Sequence, residues 1–247
     1  LEDVAARRSL MSAPVFRRAF RRQWTNKLAS RAYHRDLGEA RIVSCPVHSV
    51  EGRTFAEVAA DRGVDPVEAF LDLQIAHGND LRWYSVVAYG DPAHLEWIID
   101  HPAAMIGFRD AGAQLRNMGF YNFPLRMLNR VRDAERAGRP FLTVEAAVHK
   151  LTADIADFHR IEAGRLVPGA RADIVVVDPE HLDDSVEEVH EAAMPGFEGL
   201  SRIVRRNDDT VRAVLVNGRV AWRGGAAADD LGSASHYGTV LPGSVDY

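Results

Sequence analysis

Among the side chains able to do chemistry, Asp110 has the most suggestive setting. It lies in the stretch "IGFRDAGAQL" (106–115), after the apolar approach Ala103, Ala104, Met105, Ile106 and the flexible Gly107. Read as a short buried strand, Ala103 to Phe108 ends just before a carboxylate. The small residues Ala111, Gly112 and Ala113 follow, and they let backbone approach a substrate closely. In a parallel barrel, active-site side chains project from the C-terminal ends of the strands. A carboxylate in that place can contact a divalent metal and accept a proton from metal-bound water. The competing structural reading is an Asp that caps the next loop or helix.

The remaining candidates read mainly as structural. Ten histidines are present, but none forms H-x-H, H-E-x-x-H or a Cys/His cluster, so the chain shows no complete metal cage. A Gly-rich phosphate loop after a strand and the G-x-S-x-G nucleophile elbow are both missing. His48 reads as a loop histidine, and His101 marks a helix-to-strand turn before Pro102. His149 reads as a surface residue beside Lys150. His159 follows a helix, where a cation suits the dipole. Trp83 and Trp97 read as packing residues, and core packing is the default for Tyr84 and Tyr89. Cys45 has no recognisable His/Asn partner pattern for a catalytic thiol.

The whole chain narrows the function classes. Its 247 residues carry 30 basic and 35 acidic side chains, a formal charge of −5, so no global basic excess recruits nucleic acid. A composition with 47% hydrophobic and 26% charged residues suits a globular protein with a substantial core. One cysteine cannot form an internal disulfide, which fits a reducing compartment or simply low cysteine use, and the expected location is cytoplasmic. No apolar run approaches the roughly 20 residues of a membrane-spanning helix, so no membrane partner is expected. The helix pattern "PVFRRAFRRQW" places Val15, Phe16, Phe20 and Trp24 on one face with four arginines nearby. It reads as an amphipathic helix whose basic face is solvated or covered by a partner, rather than as a membrane or nucleic-acid helix. The chain opens at Leu1 in what reads as one helix, "DVAARRSLMSAPVFRRAFRRQW", so a longer protein is expected.

The elements that must position Asp110 follow from local signals. "RIVSCPV" (41–47) reads as a strand. Thr54 with Glu57 forms a capping box, and Asp65-Pro66 with Glu68 in the reciprocal position starts a second helix that Gly78 stops. "RWYSVVAY" (82–89) is aromatic and β-branched, hence strand. Asp91-Pro92 caps the next helix, 124–137 is helical up to Gly138, and Thr143 caps a further helix. Strands alternating with helices imply parallel strands covered by helices. After Gly164 the pattern becomes β: "ADIVVVD" (172–178), "VRAVLVN" (211–217) and the returning "RVAWR" around the hairpin signal Asn217-Gly218.

Two blocks of sequence resemble a known family. "EAGRLVPGARADIVVVDPEHL" and "VRAVLVNGRVAWRGG" resemble the C-terminal signature of the amidohydrolase superfamily. "GRTFAEVAADRGVDPVEAFLDL", "HPAAMIGFRDAGAQ" and "FLTVEAAVHKLTADIADFHRIEAGRLVPG" resemble its N-acyl-D-amino-acid deacylase (D-aminoacylase) branch. The resemblance implies an α/β fold: residues 1–165 as the C-terminal portion of a metal-dependent (β/α)8 barrel, and 166–247 as a small β-sandwich subdomain with a tail. It implies that Asp110 follows the eighth barrel strand, contacts the metal, takes the proton from the nucleophilic water and passes it to the leaving amine. Family members often carry a Ser before this Asp and a His a few residues after it, where this chain has Arg109 and Gln114. Gln114 cannot shuttle a proton and is a poorer metal ligand.

The expected activity is hydrolysis of an amide C–N bond in an N-acyl amino acid or a related small molecule. The expected cofactor is zinc, one or two ions, held mostly by residues of an upstream half outside this sequence. A homo-oligomer is an allowed assembly. The alternatives are a cyclic-amide hydrolase or deaminase on the same scaffold, and a non-catalytic relative that serves as a binding or structural body.

Overall fold

The computed structural model describes residues 3–28, 35–85, 90–107, 122–194, 196–204, 207–233 and 237–243. The chain divides into two units, Leu1–Leu95 and Glu96–Tyr247.

The first unit is built by two helix pairs around an aromatic core. The single helix expected at the start is two: α1 (Val4–Ser12) and α2 (Pro14–Thr25). The break falls at Ala13, whose extended backbone (ψ 128) is what the ring of Pro14 demands of its predecessor. Helix α3 (Phe55–Arg62) opens on the expected capping box: the Glu57 amide donates to Thr54 Oγ1 (3.2 Å) and the Thr54 amide to Glu57 Oε2 (2.7 Å). Helix α4 (Pro66–His77) is capped by Asp65, which accepts from the Val67 amide at 2.9 Å. Glu68 does not complete a second capping box. It turns instead to Arg17 and Arg21 of α2.

Phe70 on α4 stands at the centre of this core, stacked on Phe20 (6.0 Å) and edge-on to Phe55 (5.1 Å) and Trp83 (5.6 Å). Ile42, Phe55, Leu71 and Val58 are buried around it. The apolar face of α2 (Phe16, Phe20, Trp24) is spent on this packing. Its basic face is partly covered by α4: Arg17 pairs with Glu68 and Asp72, and Arg21 with Asp65 and Glu68. The reading of α2 as an amphipathic helix holds, with Arg17 and Arg21 of its basic face paired within the chain and Arg18 exposed.

Strands β1 (Arg41–Ser44) and β2 (Arg82–Tyr84) form a two-stranded antiparallel ladder, Arg41 opposite Tyr84 and Ile42 opposite Trp83. The parallel arrangement expected from strand–helix alternation does not hold for this pair. The long α3–α4 connection lets the chain return in either direction, and pairing Ile42 with Trp83 brings Trp83 onto the Phe55–Phe70 core.

In the second unit, α6 (Phe123–Arg136) ends where Gly138 adopts φ +71. Helix α7 (Val144–Leu151) is capped by Thr143, whose Oγ1 accepts from the Ala146 amide at 3.1 Å, and α8 (Ala153–Phe158) follows a break at Thr152. Gly164 passes so close to the Thr152 carbonyl that a Cβ would sit 2.8 Å from its oxygen. A four-stranded antiparallel sheet has the order β3 (Ile174–Val177), β6 (Val211–Val216), β7 (Arg219–Arg223), β8 (Ala226–Ala227). Asn217 (φ 50) and Gly218 (φ 80) make the β6–β7 turn as expected. A separate hairpin, β4 (His190–Ala193) with β5 (Ser201–Val204), has no counterpart among the expected strands. Leu125, Leu182 and Val186 form a buried cluster where α6 meets the 3-10 turn Asp184–Glu187.

All strand pairs among the described residues are antiparallel. The mixed helix–strand character stands as expected.

Candidate functional site

Asp110, Arg109 and Gln114 lie outside the described residues, as do Phe108 and the small residues 111–113. The approach to them is described. Helix α5 (Pro92–Asp100) is capped by Asp91, whose Oδ1 accepts from the Ala93 amide at 2.9 Å. The chain then turns at His101: the Ala103 amide donates to His101 Nδ1 (3.1 Å) and the Ala104 amide to the His101 carbonyl (3.0 Å). Residues 103–107 form no strand, contrary to expectation. The physical reason is that a strand needs a neighbour to take its amides. Among the described residues no strand lies alongside this segment, and its first two amides are already used in the turn.

An open groove of about 660 Å³ runs beside this approach, lined by Ala103, Met105, Lys150, Asp154, Asp157 and Phe158 among others. Its charged groups are engaged with their own surroundings. Lys150 donates to the His101 carbonyl (3.1 Å) and His149 Nδ1 lies 2.7 Å from Asp154. Arg165 holds both oxygens of Asp157 (2.8 and 2.6 Å), which keeps that carboxyl below the usual carboxylate range. The groove is a charged surface recess, and none of these pairs forms a nucleophile and base aimed at one point.

The other sequence-level candidates resolve as follows. His48 is exposed on a 3-10 turn, 3.2 Å from Glu51. The Cys45 amide and His48 hold the Glu51 carboxyl below its ordinary range, so this pair caps a turn. Cys45 is buried at 1% exposure. His159 follows α8 with its ring 5.1 Å from that of Phe158. Trp83 packs into the aromatic core as expected. Trp97 does not pack: it is 66% exposed, with its ring 5.1 Å from that of His101. Tyr84 is half exposed, and Tyr89 lies outside the described residues.

Among the described residues, no three His, Cys, Asp or Glu side chains stand close enough together to hold a metal ion. A catalytic zinc takes about three protein ligands. The described residues therefore do not by themselves form the zinc centre that the resemblance implies. No helix among them is long and apolar enough to cross a membrane.

Sequence reasoning missed a firmly held carboxylate of the second unit. Asp178 follows β3 and accepts from the Glu180 amide (2.9 Å) while Arg212 Nη2 and Nε lie 2.8 and 3.1 Å from Oδ2. Arg212 chiefly, with the Glu180 amide and His181, pulls its pKa down to about 2. The sequence placed Arg212 near the start of the strand "VRAVLVN", but only the fold pairs that strand with β3.

The chain belongs to the amidohydrolase family, whose model matches residues 14–222. An uncharacterized protein of Mycobacterium tuberculosis (strain ATCC 25618 / H37Rv) is 47% identical over 227 residues, which is 91% of this chain and 37% of the relative. The N-acyl-D-aspartate deacylase of Alcaligenes xylosoxydans xylosoxydans is 29% identical over 178 residues, 70% of this chain and 30% of the relative. Among solved structures, a crystal structure of D-aminoacylase matches at 24% identity with a TM-score of 0.44, covering 85% of this chain and 39% of that one. The chain thus spans about a third of the length of the curated relatives it matches.

Proposed function

We propose that this chain is the C-terminal portion of a cytoplasmic, metal-dependent amidohydrolase that removes the acyl group from N-acyl-D-amino acids. The family match over residues 14–222, which encloses Asp110, carries the reading. The similarity to a protein named N-acyl-D-aspartate deacylase supports the substrate class. In this proposal residues 1–165 belong to a (β/α)8 barrel and 166–247 to a β-sandwich subdomain, and one or two zinc ions are held mostly by residues of a longer polypeptide.

Asp110 has the chemistry for the proton work. As a carboxylate it takes a proton from the water whose oxygen attacks the amide carbon. As the resulting acid it returns that proton to the amine nitrogen as the C–N bond breaks, leaving a carboxylic acid, which gives its remaining proton to solvent or to the amine, and a free amino acid. In the whole protein, Asp110→Asn is expected to lower kcat by at least ~10²-fold, because general acid–base groups contribute on that order. The thermal midpoint is expected to stay near that of the parent. Turnover equal to the parent's removes Asp110 from the mechanism. A whole protein that carries no zinc and turns over no N-acyl-D-amino acid removes the hydrolase reading itself.

A further inference from the structure

Asn122, the residue just before α6, is buried at 8% exposure. Its Nδ2 donates to the Val186 carbonyl (2.6 Å) and to Asn207 Oδ1 (3.1 Å). These two bonds use both hydrogens of the amide nitrogen. They also fix how the amides are oriented. A carbonyl only accepts, so the Asn122 atom facing Val186 must be the nitrogen, and the Asn207 atom facing that nitrogen must be the oxygen. Among the described residues, two buried atoms are then left without a hydrogen-bond partner: Asn122 Oδ1, an acceptor, and Asn207 Nδ2, a donor. The two amides thus share one of the two hydrogen bonds that a reciprocal amide pair makes.

Leaving such groups unpaired costs about 1–3 kcal/mol each. The two orphans are complementary in kind. A cation would meet the amide hydrogens of Asn207, and an anion would meet the oxygen of Asn122, so neither ion suits both. A molecule that donates once and accepts once suits both.

We infer that Asn122 and Asn207 form an internal water site, in which one water donates to Asn122 Oδ1 and accepts from Asn207 Nδ2. A bridging water is nearly as favourable as a direct bond when its partners are polar and buried. The site ties three separate stretches together. These are the start of α6, the core-buried 3-10 turn at Val186 (0% exposed), and the turn before β6, where the Asn207 carbonyl accepts from the Thr210 and Val211 amides (3.1 and 2.7 Å). The inference is independent of the proposed hydrolase activity.

Water–amide cross-relaxation NMR on ¹⁵N-labelled protein tests this. Cross-peaks from a long-lived water are expected on the side-chain amide protons of both Asn122 and Asn207. In Asn207→Leu the Asn122 cross-peak is expected to be lost and the thermal midpoint to fall. Absence of the cross-peaks in the parent protein overturns the inference without reference to any variant. So does a direct Asn207 Nδ2 to Asn122 Oδ1 hydrogen bond, or a protein hydroxyl between them, seen in a crystal structure.

Discussion

Arg212 Nη2 lies 2.8 Å from Asp178 Oδ2, and Arg212 Nε 3.1 Å from the same oxygen, so one guanidinium on β6 grips the carboxylate that ends β3. Asp178 also takes the Glu180 amide, and its own amide donates to the Thr210 carbonyl at 2.8 Å. An Asp at the end of an apolar strand, the very pattern that singles out Asp110 in the sequence, here serves as cap and ion-pair partner. Only the neighbours tell the two uses apart.

This grip predicts acid sensitivity. The carboxyl is lowered from an ordinary 3.8 to about 2 in the folded state. A depressed carboxylate adds stability that is fully present above its unfolded pKa and is lost as pH falls through its folded one. The contribution of Asp178 is therefore present at pH 5 and fades between about pH 4 and about pH 2. Urea unfolding across that window is expected to show a flatter pH dependence for Asp178→Asn than for the parent, with Arg212→Ala behaving like Asp178→Asn. Parallel curves would show that the pair adds nothing to folding.

Gly78 ends α4 at φ 53 and ψ −115, and a Cβ there would run into the guanidinium of Arg7. Two separate penalties follow, one in the backbone and one steric. Gly78→Ala is expected to destabilise the first unit by about 1–3 kcal/mol. The double variant with Arg7→Ala is expected to recover part of the loss, because it removes the clash and leaves the backbone strain. A double-mutant cycle by chemical denaturation reads the difference. Strict additivity would mean that Arg7 does not press on Gly78.

Phe70 and Trp97 separate an aromatic that packs from one that does not. Phe70 is 7% exposed amid Phe20, Phe55 and Trp83, so Phe70→Ala is expected to cost about 3–5 kcal/mol. Trp97 is 66% exposed, and Trp97→Ala is expected to stay within about 0.5 kcal/mol. A large loss on removing Trp97 would mean that another part of the polypeptide covers it.

The arginines of α2 likewise divide by partner. Arg17, 21% exposed at its side chain, sits between Asp72 and Glu68, which raise its pKa, Asp72 chiefly. Arg18, next to it, is exposed. Arg17→Ala is expected to destabilise the unit by up to about 1 kcal/mol, in a salt-dependent way, and Arg18→Ala to do neither. Equal effects in 0.05 M and 1 M salt would assign the Arg17 loss to packing of its aliphatic stem rather than to charge.

What the sequence determined by itself is the set of features closed by hydrogen bonds that span a few residues. The Thr54–Glu57 box, the Asp65, Asp91 and Thr143 caps, the stop at Gly138 and the Asn217-Gly218 turn were all legible, because donor and acceptor sit within one turn of chain. The family resemblance was legible too, because long signature blocks around "ADIVVVD" and "VRAVLVN" survive as strings. Tertiary structure alone decided the rest. It paired β1 with β2 antiparallel, sent Glu68 to Arg17 instead of to its own helix end, exposed Trp97, and joined Asn122 to Asn207 across 85 residues. It also left 103–107 without a strand, for want of a neighbouring ladder among the described residues. Each of these depends on which distant group arrives to take a hydrogen bond or cover an apolar face, and that choice is made only when the chain closes on itself.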